Sequence, residues 1–217
     1  ETMCGYEVSA EQVSRATALL DEELEKWRNR PIGCVKALIL DAIYEKVRLN
    51  GAVVNCAVLV AIGICEDGHR TILGVSVSLS EHEVHWRQFL QSLKERDMHG
   101  VCFIVSDNHQ GLRKALKATF PGVPWQRCQF HLQQNAQSYI TKRDLKKPVA
   151  ADIRAVFNAP SLEEAKRLLA KIIEKYSKTQ AKLAAWMEDN IPEGLTVFRL
   201  PEHMRHRLRT SNMNENL

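Results

Sequence analysis

The sequence contains no C-x-x-C pair, no leader-like N-terminal stretch, and no apolar run approaching the roughly 18 residues of a membrane span. Its six cysteines, Cys4, Cys34, Cys56, Cys65, Cys102 and Cys128, are scattered, several of them inside apolar patterns. That usage argues against a disulfide framework and for reduced, mostly core thiols in a cytoplasmic protein. A strong basic excess is also missing, since the net charge is only +4 and the pI about 8.7. Such a balance permits nucleic-acid binding without demanding it. What is present is an ordinary globular composition: 217 residues, 45% apolar and 26% charged, enough for one domain with a full core or one domain carrying an insertion. The chain opens on Glu1 and stops at Leu217, so it is expected to be a fragment of a longer reading frame.

The pattern of apolar residues orders the chain. Residues 9–28 read as an amphipathic helix, with Ser9 and Gln12 as a capping box and Val13, Ala16, Leu20, Leu24 and Trp27 along one face. Two readings stand for this 1–33 segment: a helix packed on the next domain, or the remnant of a helix-turn-helix with Arg15 off the apolar face. Three strands follow, separated by hairpin signals at Asn50-Gly51 and Asp67-Gly68. The period then changes. Residues 83–98 read as a helix, 101–105 as an apolar strand, 110–120 as a helix, 123–127 as a short strand and 131–140 as another helix.

The resulting order, β-β-β-α-β-α-β-α, is the ribonuclease H-like topology: an α/β fold on a mixed sheet, here assigned to residues 34–141. Residues 142–200 read as an all-helical insertion, with Ser161 and Glu164 capping one of its helices. Residues 201–217 carry a basic stretch and the start of a last helix.

Asp41 interrupts the apolar run Ala37-Leu38-Ile39-Leu40 of the first strand. An unpaired carboxylate there costs several kcal/mol to bury, so either a bound cation or a Lys or Arg partner must offset it. Asp107 stands just past the strand that follows the first core helix. In this topology the two strands are neighbours. At about 4 Å and an effective dielectric of about 20, the two carboxylates repel by roughly 4 kcal/mol, which calls for a cation between them or a raised pKa. Hard oxygen donors favour Mg²⁺ or Mn²⁺. A third acid is expected, with Glu215 in TSNMNENL ahead of Glu202, Glu188 and Asp189.

Four stretches, LILDAIYEKVR, IVSDNHQGLRKAL, WQRCQFHLQQN and RTSNMNEN, taken in that order, resemble the catalytic core of Mutator-type bacterial transposases, and the likeness covers nearly the whole chain. The resemblance implies a DDE triad of Asp41, Asp107 and Glu215 that binds Mg²⁺ or Mn²⁺. It further implies cleavage and strand transfer of DNA at the ends of an insertion element, in a bacterial, nucleoid-associated protein acting as a homo-oligomer on DNA. Two rivals are a nuclease of the same fold without strand transfer and an inactive DNA-binding remnant.

Cys128 and His131 are similar to the family's small Cys/His motif. They are read as structural, with His131 near the scissile phosphate or capping its helix, against a zinc reading that would recruit His203 and His206. His109 either orients a water or phosphate or is a surface residue at a helix start. Arg113, Lys114, Arg205, Arg207 and Arg209, with other lysines and arginines nearby, are read either as phosphate contacts or as a solvated face.

Overall fold

The computed structural model of the chain describes residues 9–49 and 51–211, and the backbone of two short strands, Thr2–Met3 and Tyr6–Glu7, which pair antiparallel. Asn50 of the expected turn, and Asn212 and Glu215 of the expected last helix, lie outside the described residues.

Helix α1, Ala10–Asn29, begins where the sequence signal puts it, and both halves of its capping box form. Its apolar face behaves differently from expectation. No residue of α1 is buried, and Val13 and Leu20 are more than half exposed. Just past its C-terminal end, Arg30 lies over the Trp27 ring and donates to the Ile72 carbonyl at 2.6 Å.

Strands β1 (Val35–Leu49), β2 (Ala52–Cys65) and β3 (Arg70–Ser78) form the antiparallel meander. Gly51 and Gly68 sit at its two turns with φ near +80°, where a side chain would be strained. Helix α2 (Glu83–Glu95), strand β4 (Phe103–Ser106), helix α3 (Gln110–Thr119), strand β5 (Trp125–Arg127) and helix α4 (Gln129–Ala136) follow. Strand β4 joins β1 in parallel and β5 joins β4 in parallel, giving a mixed five-stranded sheet of order β3-β2-β1-β4-β5.

Helix α2 stops short of the Met98 expected from the sequence. Asp97 takes a left-handed conformation and donates to the Lys94 carbonyl, while Met98 donates to Leu93 and buries itself against it. These paired bonds close a Schellman motif with Asp in the position glycine usually takes, which the periodicity alone could not mark.

Alternation along β1 splits its side chains between two cores. Leu38 and Leu40 face α2 and α3, packing with Trp86, Leu90, Leu93 and Leu112. Ala37 and Ile39 face the opposite side with Phe103 and Val105, where Val197 and Leu208 of the returning chain cover them. The helices α5 (Lys146–Phe157), α6 (Leu162–Ser177) and α7 (Ala181–Asn190) build a third core with Leu132 of α4. Ser161 caps α6, as the sequence signals.

Polar ties fasten this helical unit to the sheet. Arg127 of β5, almost fully buried, donates to Asn190 at 2.8 Å and pairs with Glu193 at 3.1 Å. The Gln126 side chain accepts the Val197 N–H at 2.7 Å. A four-residue helix, α8 (Glu202–Arg205), precedes the end of the described chain. Among the described residues no helix is long and apolar enough to cross a membrane.

Candidate active site

Parallel pairing sets the geometry of the site. Strands β1 and β4 are in register at Ala37 with Phe103, Leu38 with Ile104 and Ile39 with Val105. Asp41 within β1 and Asp107 just past the end of β4 each stand two residues beyond the last of these pairs. Neighbouring strands run roughly 5 Å apart. Both aspartates line one small pocket of about 170 Å³, together with Glu81, His109 and His131 and the apolar floor of Leu40, Trp86 and Leu112.

The alternative of a Lys or Arg partner for Asp41 is not met among the described residues. The Asp41 carboxylate accepts the Ala42 N–H at 3.1 Å, and that of Asp107 accepts the Asn108 N–H at 2.7 Å. Burial pushes the Asp41 carboxyl up to about 6; the His131 imidazole and the Ala42 N–H oppose the rise, while Asp107 and Glu81 add to it. An acid held this far above its ordinary range by burial and two like charges is a place where a cation would be favourable.

The donor set suits a hard divalent ion. Three carboxylates line the pocket beside two histidines, and Mg²⁺ ordinarily binds through one or two carboxylates while keeping several waters. Among the described residues no three His, Cys, Asp or Glu side chains are already gathered around one ion-sized point. Asp41, Asp107 and Glu81 are the carboxylates that line the pocket. Glu215 lies outside the described residues, and its rivals Glu202, Glu188 and Asp189 are exposed and line no part of the pocket.

His131 and Cys128 come together at the start of α4. Cys128 is fully buried and accepts the Ser211 N–H at 3.3 Å, with the Thr210 hydroxyl also at 3.3 Å. Burial works to raise the thiol, but His131, Thr210 and Ser211 outweigh it and hold Cys128 down at about 6. The same thiol lifts His131 to about 9 against the effect of burial, with Asp107 and Asp41 contributing. The pair thus favours thiolate and imidazolium, placing a positive charge beside the two aspartates. The zinc arrangement with His203 and His206 is not formed among the described residues.

Glu81 is absent from the sequence candidates. It occupies the turn between β3 and α2, is 9% exposed, and its Oε2 lies 3.5 Å from His109 Nδ1. Its backbone is pressed against the first turn of α3, where a Cβ on Gly111 would stand 2.2 Å from the Glu81 carbonyl oxygen. The available signal was an acid at a strand-to-helix junction, the same kind of place as Asp107. In SEHEVH that signal is hidden by an ordinary polar helix start.

The basic candidates divide. Arg113 is stacked on Trp125, its guanidinium carbon 3.3 Å from the ring centroid, and burial lowers its pKa. Arg205 donates to the Leu200 and Pro160 carbonyls, and Arg209 to the Asn158 side chain. Arg15 is exposed on α1 and pairs loosely with Glu11 at 3.8 Å. Lys114 and Arg207 are exposed. Of the five cysteines described, only Cys56 and Cys128 are buried, fewer than the apolar patterns suggested, and all five are free thiols.

Comparison with known proteins bears on this arrangement. Residues 1–217 match the family described as "Transposase, Mutator family". The transposase for insertion sequence element IS406 of Burkholderia multivorans is 54% identical, over 94% of this chain and 53% of its own length. The transposase for insertion sequence element ISRM5 of Rhizobium meliloti is 38% identical, over 100% of this chain and 54% of its own. The chain therefore spans about half the length of the curated relatives it matches. A chain of the simian T-cell lymphotropic virus intasome in complex with PP2A regulatory subunit B56 gamma aligns over 85% of this chain and 57% of its own at 12% identity. Its TM-score of 0.24 is too low to inform the fold. With a family match over its full length and a relative more than half identical, this chain belongs to the Mutator family of transposases.

Proposed function

We propose that the chain is the catalytic core of a DDE transposase, of ribonuclease H-like fold, which cuts and joins DNA at the ends of an insertion element. The observation that carries the proposal is that Asp41, within β1, and Asp107, just past the parallel neighbour β4, stand at matched positions and line one pocket. The strand order β3-β2-β1-β4-β5 and the helical unit after β5 support the fold reading. Insertion-sequence transposases among the relatives support the reaction class.

In this reading Asp41, Asp107 and Glu215 would hold Mg²⁺ or Mn²⁺, which would supply Lewis-acid stabilisation of phosphoryl charge and a lowered pKa for the nucleophile. The chain's own groups do the rest. The aspartates fix the geometry, and Leu40, Trp86 and Leu112 keep one wall dry. The imidazolium of His131 adds positive charge where negative charge builds on the phosphate. A water oxygen bonds to phosphorus as the P–O3′ bond breaks in line, leaving a 3′-hydroxyl on the element end. That hydroxyl then attacks a phosphodiester of the target by the same in-line exchange.

Lys114 and Arg207, both exposed, are the readiest phosphate contacts, and the protein acts as a homo-oligomer on paired DNA ends in the bacterial nucleoid. A strand-transfer assay with a pre-cut 3′ end tests the reaction. Joined product supports a transposase, whereas hydrolysis with no joining points to a nuclease built on the same site.

A further inference from the structure

We propose that Glu81 is a positioning residue for this site: its carboxylate keeps the His109 imidazole protonated at Nδ1, so that Nε2 offers its lone pair to the attacking water beside Asp107. The inference rests on the proposed function and adds to it a pair of residues that the triad does not contain.

The placement of Glu81 is built in by the fold. Ser78 Oγ donates to the Ser80 carbonyl at 2.6 Å and shapes the turn out of β3. Gly111 lets α3 lie directly on that turn, since a Cβ there would also stand 2.9 Å from the Glu83 nitrogen. The Glu81 turn and the Asp107-to-Gly111 turn are thus locked face to face, and His109 lies between them as the N-cap residue of α3. A carboxylate with a side chain only 10% exposed, beside two other carboxylates, needs a donor. Two groups are in reach: the phenol of Tyr44 on β1, whose pKa is raised by burial and by this carboxylate, and His109.

From the imidazole side the match is closer. His109 Nδ1 is buried and has no other hydrogen-bond partner, yet the side chain is 41% exposed, which leaves the rest of the ring at the pocket mouth. The 3.5 Å separation is longer than a formed hydrogen bond. Contacts of this kind commonly tighten when substrate is in place. A carboxylate behind one ring nitrogen fixes the tautomer and orients the other nitrogen, the arrangement that carboxylates impose on functional histidines elsewhere.

Long-range ¹H–¹⁵N NMR of the imidazole rings, with His109 assigned through His109→Gln, reads the tautomer directly and requires no catalytic activity. The expected result is an Nδ1–H tautomer for His109 that is lost or averaged in Glu81→Gln, with the thermal transition retained. An averaged tautomer in the unsubstituted chain, or one unchanged by Glu81→Gln, would overturn the proposal.

In Mg²⁺-dependent nicking, Glu81→Gln and His109→Ala should each lower kcat about 10- to 100-fold at unchanged KM for DNA. The double variant should be no worse than the weaker single, whereas multiplying losses, or a change confined to KM, would contradict coupling. Full nicking by Asp41→Asn would instead overturn the cation site and leave the tautomer result standing, so the two failures are distinguishable.

Discussion

Asp41 and Asp107 stand the same two residues beyond the Ile39–Val105 pair of adjacent parallel strands, and both line a single pocket. Asp41 lies within β1 and Asp107 just past β4, neither has a Lys or Arg partner among the described residues, and the burial of Asp41 costs stability.

That cost has a pH signature. Asp41 rises from 3.8 to about 6 on folding, chiefly through burial. A raised acid contributes fully to stability below its unfolded pKa and loses that contribution as pH climbs through the folded one. The penalty therefore grows between about pH 4 and pH 6 and is complete above, at about 3 kcal/mol at most. Asp41→Asn should raise the melting temperature of the cation-free chain at pH 7 by roughly 5 °C, and the gain should fade toward pH 4. Thermal melts of both proteins across this range check it; a gain that is constant with pH would point to a different origin.

Added Mn²⁺ should relieve the same penalty without a substitution. It should raise the melting temperature of the unsubstituted chain and leave Asp41→Asn and Asp107→Asn nearly unmoved, because a ligand stabilises only the state that binds it. Excess chelator should reverse the shift. Equal shifts in all three proteins would mean the ion binds elsewhere.

Gly111→Ala tests the contact between the two site turns. The new methyl would lie 2.2 Å from the Glu81 carbonyl oxygen, so backbone must move, and a loss of about 1–3 kcal/mol is expected in denaturant unfolding. A neutral substitution would show that the turns are not in register as described.

Arg127 carries the join between sheet and helical unit. Truncating it to Ala leaves Glu193 and Asn190 without their partner and should cost roughly 3 kcal/mol, whereas an exposed lysine such as Lys114 should cost under about 0.5 kcal/mol. Urea melts of the two variants supply the comparison.

Much of this was legible in the residues. Turn signals at Gly51 and Gly68 and the switch from period two to period 3.6 delimit the strands and helices of the sheet. Asp41 stood out because an acid inside an apolar strand demands a reason. The exposure of α1 was not legible, because an apolar stripe specifies a face but not its partner. The end of α2 was missed because Asp97, not a glycine, adopts the left-handed conformation. Glu81 was invisible for a different reason: its role depends on Gly111, thirty residues away, and only the folded chain brings the two together.

The most direct test of the cation site is Mg²⁺-dependent nicking of an element-end duplex by Asp41→Asn and Asp107→Asn, each first confirmed folded by its thermal transition. Both variants are expected to lose nicking while remaining folded. Undiminished nicking by either one would contradict the cation site.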